Sequence, residues 1–124
     1  MSTQPFIAID HVQLAIPEGG EDNARDFYGR ILQMEEIPKP KELRARGGVW
    51  FQSGPVLVHL GVERDFRPAR KAHPAFRCER FEKLIQRLQE KDCEIVFDDL
   101  KIDGARRAYT FDAFGNRIEL IAAD

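Results

Sequence analysis

The strongest constraint on this chain of 124 residues is that one pattern of strands and a helix runs through it twice. Residues 6–16 alternate as a strand does. Phe6, Ala8, Asp10, Val12, Leu14 and Ile16 share one face, and Ile7, Ile9, His11, Gln13 and Ala15 share the other. A Pro-Glu-Gly-Gly break follows. Ala24, Phe27, Tyr28, Ile31 and Leu32 then keep helical spacing from about residue 21, with Asp22 or Asn23 expected as the N-cap. A short strand is expected over 34–37, and two more over 49–52 and 56–62, joined at Ser53-Gly54-Pro55. The order then restarts. A strand is expected over 72–78, a helix on Phe81, Leu84, Ile85 and Leu88, and a strand over 93–97. A loop over 98–106 and closing strands over 107–111 and 116–122 complete the chain.

The chain holds three histidines, and their placement sharpens the repeat. His11 and His73 lie in the first strand of each half, 62 residues apart. His59 and Glu119 lie in the last strand of each half, 60 residues apart, and a difference of two residues is a loop indel. The expected organisation is therefore a single domain over 1–124 made of two βαβββ repeats, about 6–63 and 72–123, in the α+β class. Glu119 alternates with Ile118 and Leu120, so its carboxylate points away from their face and into any concavity a curved sheet makes.

Two βαβββ units with polar side chains on the first and last strand of each resemble the vicinal oxygen chelate superfamily, over nearly the whole length. The resemblance is carried by Asp10-His11-Val12, Phe27-Tyr28, His73, and above all Gly115-Asn116-Arg117-Ile118-Glu119-Leu120. Members usually have Asp-Pro before the last turn. Here Asp112 is followed by Ala113-Phe114, a departure that touches the turn and not the ligands. The resemblance implies a curved, cup-like mixed sheet with helices on the outside, and commonly a homodimer whose sites lie between subunits. It also implies roles for particular residues. His11, His73 and Glu119 match the positions that bind a divalent metal in fosfomycin-resistance thiol transferases and extradiol dioxygenases. His59 matches a further ligand position that is usually a carboxylate in glyoxalase I.

The chemistry is consistent with those roles. Two imidazoles and a carboxylate on one concave face suit Zn, Ni, Mn or Fe and leave open coordination positions. Such a site can polarise two vicinal oxygens of a substrate and stabilise an enolate or oxyanion. Glu119 and His59 are the candidate catalytic residues, His59 as a ligand, a general base or a group supporting the ligands. Gln13 shares the face of His11, Tyr109 lies on the side of Phe111, and Trp50 can form an apolar wall; all three are candidates for contact with substrate. Arg46, from the basic stretch Lys39, Lys41, Arg44 and Arg46, is the candidate for an anionic group of that substrate.

Composition removes other classes. A net charge of −2 gives no footprint for nucleic acid or an acidic membrane, and no apolar run is long enough to span a bilayer. Cys78 and Cys93 lack metal-type spacing, which suits free thiols in a cytoplasmic protein. The leading expectation is a metal-dependent lyase, isomerase or thiol transferase acting on a small substrate with vicinal oxygens. An Fe(II) extradiol dioxygenase and a non-catalytic binder of the bleomycin-resistance type are the alternatives.

Overall fold

The computed structural model describes residues 3–123 and resolves the repeat into two four-stranded mixed sheets. The first holds β1 (Val12–Ile16), β2 (Glu35–Ile37), β3 (Val49–Ser53) and β4 (Val56–Val62) in the order β1-β4-β3-β2. The second holds β5 (Ala75–Cys78), β6 (Ile95–Ile102), β7 (Ala105–Phe111) and β8 (Arg117–Ala122) in the order β5-β8-β7-β6. In each sheet the first and last strands run parallel and the other pairs run antiparallel. The class is α+β, with β1 and β5 each bonded to one neighbour only.

The register gives the repeat a residue-level meaning. Gln13 pairs with His59 across β1 and β4, and Ala75 pairs with Glu119 across β5 and β8. The 62- and 60-residue offsets read from the sequence are therefore the offsets of equivalent ladder positions. Trp50 opposite His59 and Tyr109 opposite Glu119 extend the correspondence to β3 and β7.

Helices close the core. α1 (Glu21–Ala24) runs on as a π-helix, Arg25–Ile31, and α2 spans Phe81–Glu90. Ala24, Phe27 and Tyr28 from the first, and Phe81, Ile85 and Leu88 from the second, join one buried cluster. Leu14, Ile16, Phe51, Val58 and Leu60 of the first sheet and Ala108, Ile118 and Leu120 of the second belong to the same cluster. Both modules thus bury one face in a common core, which leaves the histidines and Glu119 on the opposite faces.

Four expectations change. The first strand begins at Val12, not at residue 6: with β4 starting at Val56, the parallel register leaves the residues before Asp10 without a partner, and Phe6, Ile7 and Ile9 stay exposed at 89%, 98% and 81%. The second half's first strand is likewise shortened, to Ala75–Cys78. The expected loop over 98–106 is mostly a hairpin: β6 and β7 meet at Asp103-Gly104, with φ +50° and +77°, the pair of left-handed residues that a two-residue hairpin turn requires. Neither Asp22 nor Asn23 caps α1. Gly20 stands at the cap without a side-chain bond, Asp22 pairs with Arg25, and the Glu21 carboxylate accepts from the Gly48 amide at 2.9 Å.

Polar bonds also join the modules. The Tyr28 hydroxyl, fully buried, donates to Asp112 Oδ2 at 2.7 Å. Burial, then the neighbouring Asp112 charge and its hydrogen bond, push the phenol well above its ordinary 10.0. A raised folded value leaves this contribution intact below the unfolded value. It is lost as pH rises past about 10, where only the unfolded chain ionises. Tyr28→Phe is expected to lower stability by about 1.5–3 kcal/mol at neutral pH and to flatten the alkaline fall, as read by urea unfolding between pH 7 and pH 11.

Candidate functional site

Two polar clusters stand on the faces turned away from the core, one per sheet. In the second sheet His73 lies just ahead of β5, two residues before Ala75, the ladder partner of Glu119. Its Nδ1 is 2.7 Å from the Lys71 carbonyl oxygen and its Nε2 is 2.9 Å from Glu119 Oε1. A carbonyl only accepts, so Nδ1 carries the proton and donates it. In a neutral ring, Nε2 then presents a lone pair to a carboxylate oxygen. A positive centre, whether a proton or a metal ion, is needed between them. An imidazole held by its Nδ1–H to a backbone carbonyl, with Nε2 aimed at a carboxylate, has the tautomer and orientation of a metal ligand.

Glu119 is 6% exposed and its other oxygen is taken. Arg107 Nη1 donates to Glu119 Oε2 at 2.9 Å and to the Tyr109 hydroxyl at 3.0 Å. Arg107 Nη2 donates to Asp98 Oδ2 at 2.6 Å, and Nε to the Leu100 carbonyl at 2.9 Å. Burial alone raises the Glu119 carboxyl, but the bonds from Arg107 and His73 outweigh it and hold the group below its ordinary value as an anion. Oε2 is therefore fixed and Oε1 is the oxygen left to face His73. Tyr109 completes this cluster, its ring edge-on to His73 at 5.5 Å with the Arg117 guanidinium 3.9 Å above it.

The first sheet carries the equivalent cluster in another chemistry. His59, 7% exposed, is sandwiched between Trp50 at 3.7 Å with an interplanar angle of 2° and His11 at 3.9 Å and 20°. His11 Nδ1 lies 2.8 Å from Asp10 Oδ2. Burial, with the adjacent His11, pushes the His59 imidazole below its ordinary value, which favours the neutral, electron-donating ring. Gln13 lies on the same face, its amide packed over Gly61, where an added Cβ would come within 2.8 Å of Nε2.

The sequence-expected ligands thus divide two and two. His73 and Glu119 are in contact; His11 and His59 are in contact; the pairs lie on separate sheets. Among the described residues, no three His, Cys, Asp or Glu side chains of one chain converge to hold a metal ion. Trp50 and Tyr109 stand beside the ligand candidates. Arg46 is exposed at the end of a 3-10 helix, Lys41–Arg46. Sequence reading missed Arg107 and Asp98. The signal was available, because Arg107 alternates with Tyr109 and so faces Glu119 across β7 and β8.

Known proteins agree with this architecture. The profile of the Glyoxalase/Bleomycin resistance protein/Dioxygenase superfamily matches residues 8–120. No curated protein matches the sequence. Among solved structures, a protein of Bacillus anthracis assigned to the glyoxalase family is 45% identical, with a TM-score of 0.93, covering 99% of this chain and 100% of its own. Two others share the fold at 16% identity. The fosfomycin resistance protein FosX of Listeria monocytogenes has a TM-score of 0.75 and covers 96% of this chain and 95% of its own. The lactoylglutathione lyase of Agrobacterium tumefaciens has a TM-score of 0.72 and covers 97% and 96%. With the duplicated βαβββ topology and the profile in agreement, the chain belongs to the Glyoxalase/Bleomycin resistance protein/Dioxygenase superfamily.

Proposed function

We propose that the protein is a divalent-metal-dependent enzyme acting on a small substrate with vicinal oxygens, by lyase, isomerase or thiol-transferase chemistry. It works as a homodimer in the cytoplasm. Each site takes His11 and His59 from one chain and His73 and Glu119 from the other. The observation that carries this reading is the opposition of His73 Nε2 and Glu119 Oε1 at 2.9 Å, with Nδ1 committed to a carbonyl and Oε2 committed to Arg107. Two donor atoms are aimed at one point, and among the described residues no third His, Cys, Asp or Glu joins them. The exposed Phe6, Ile7 and Ile9 immediately precede His11, and docking against a second copy would bury them together with the missing ligands.

The donor set of neutral imidazoles and one carboxylate fits Zn, Ni, Mn or Fe. When bound, such an ion supplies Lewis-acid polarisation of two substrate oxygens. The chain's own residues do the rest. Arg107 holds Glu119 ionised and oriented. His59, a neutral ring held between Trp50 and His11, offers its one lone pair to the metal. Gln13 and Tyr109 offer hydrogen-bond partners, and Trp50 forms an apolar wall that excludes water.

The test is elemental analysis of protein purified without chelator. About one metal ion per chain is expected for the unaltered protein, and less than about a tenth of that for His73→Ala and for Glu119→Gln. Metal content unchanged in both variants would overturn the reading.

A further inference from the structure

The two modules differ at one pair of corresponding positions. In the second module Asp98 faces Arg107 across β6 and β7, and the two form the ion pair that pins Glu119. Ile37 opposite Trp50 in the first module corresponds to Val96 opposite Tyr109 in the second. The first module's ladder ends at that pair, and two residues beyond it Lys39 and Gly48 fall at the positions that Asp98 and Arg107 hold in the second. A base stands in place of the acid, and a glycine, with no side chain, in place of the arginine.

Gly48 cannot regain one. Its φ is +88°, and an added Cβ would sit 2.2 Å from the Leu60 carbonyl oxygen. Beside Gly48 the first module has a cavity of about 190 Å3, lined by Arg25, Glu36, Lys39, Arg44, Gly48 and Trp50 among others.

The charges in this cavity do not cancel. Arg25 is neutralised by Glu36 and Asp22, at 2.9 and 2.8 Å. The Lys39 ammonium donates one bond, to the Gly47 carbonyl, and keeps two donors. Arg44 donates through Nε to the Lys39 carbonyl at 3.3 Å, and its terminal nitrogens have no partner among the described residues. Two cations with spare donors therefore border a cavity whose wall includes Trp50, the residue stacked on His59.

We infer that this cavity, lined by Gly48 and bordered by Lys39 and Arg44, binds a small oxyanion, the phosphonate, phosphate or carboxylate end of the molecule whose vicinal oxygens lie at His59. The link to one and the same substrate rests on the proposed function; binding of the anion does not. Lys39 meets the anion as a point charge and Arg44 through a planar fork of two N–H groups. The selection is for an anionic tail one indole away from the reacting oxygens.

Trp50 is the single tryptophan of the chain, so its emission reports on this wall alone. Chelator-treated protein is titrated with inorganic phosphate, methylphosphonate and acetate, with chloride holding ionic strength constant. A saturable change in emission is expected with at least one of the three. Preference for the tetrahedral ions or for acetate assigns the tail. The Lys39→Gln/Arg44→Gln double variant is expected to bind about tenfold more weakly or worse, and Arg44→Gln alone, which loses the guanidinium fork, about threefold more weakly. Arg64→Gln, on an exposed loop, is expected to bind as the unaltered protein does. Equal affinity in Arg44→Gln and the unaltered protein, a response reproduced by chloride, or no saturable change up to about 50 mM anion would overturn the inference. Because the protein carries no metal in this titration, a failed metal reading leaves the signal intact. A protein that holds metal yet gives no anion response sinks the pocket alone.

Discussion

Mixing His11→Ala chains with Glu119→Ala chains, under conditions of subunit exchange, is expected to recover metal that neither variant holds alone. If each site joins the first module of one chain to the second module of its partner, a mixed dimer has one site with both lesions and one with none. Random exchange makes half the dimers mixed, so recovery should approach about one quarter of the unaltered content. Activity, where a substrate is in hand, should follow in the same proportion. The measurement is metal per chain after denaturant-assisted mixing and refolding, with each variant treated alone as the control. The expectation follows from the two-and-two division of ligands: His11 stacks on His59 at 3.9 Å, His73 bonds Glu119 at 2.9 Å, and among the described residues no third ligand of the same chain joins either pair. No recovery, with each variant shown to be dimeric, would mean that the four residues do not meet across an interface. The bipartite site would then be wrong even if His73 and Glu119 bind metal.

The repeat was legible because strand alternation and helical spacing are local properties. Offsets of 62 and 60 residues survive into the ladder, where Gln13 meets His59 and Ala75 meets Glu119. What the sequence hid is what depends on partners. Residues 6–11 alternate as well as any strand in the chain, yet remain outside one, since alternation says which face a side chain takes and not whether a neighbouring strand is present. Glu21 was unremarkable beside Asp22 and Asn23 until the Gly48 amide was found at its carboxylate. The π-turn in Arg25–Ile31 leaves the apolar positions Phe27, Tyr28 and Ile31 nearly where an α-helix would put them, so hydropathy cannot reveal it. Asp103-Gly104 was different. The dipeptide is a strong hairpin signal, and the polar residues around it masked strands that carry Asp98 and Arg107 to the site. Lys39 and Gly48 were the hardest to read, because their meaning appears only when one module's ladder is laid on the other's.

The largest loss of stability is expected at Asn116, fully buried in the last turn. Its Nδ2 donates to the Ala15 carbonyl at 2.8 Å and to Asp112 Oδ2 at 2.9 Å, and its Oδ1 accepts from the Ala69 amide at 2.9 Å. One side chain thereby ties the end of β1, the segment between the modules, and the turn that sets up β8. Asp112 completes the knot. Its Oδ1 accepts from the Phe114 and Asn116 amides and its Oδ2 from Tyr28. Asn116→Ala strands a carbonyl, an amide and part of a carboxylate away from water, at a cost of about 3–5 kcal/mol. Asn116→Asp is the sharper test because it keeps the shape. It replaces the two N–H donors with a carboxylate oxygen that faces the Ala15 carbonyl and Asp112, so like groups meet in a buried space. The cost should be at least that of the alanine variant. Urea unfolding at pH 7 decides the matter: a midpoint for Asn116→Asp close to that of the unaltered protein would show that the network's shape, and not its donors, holds the two modules together.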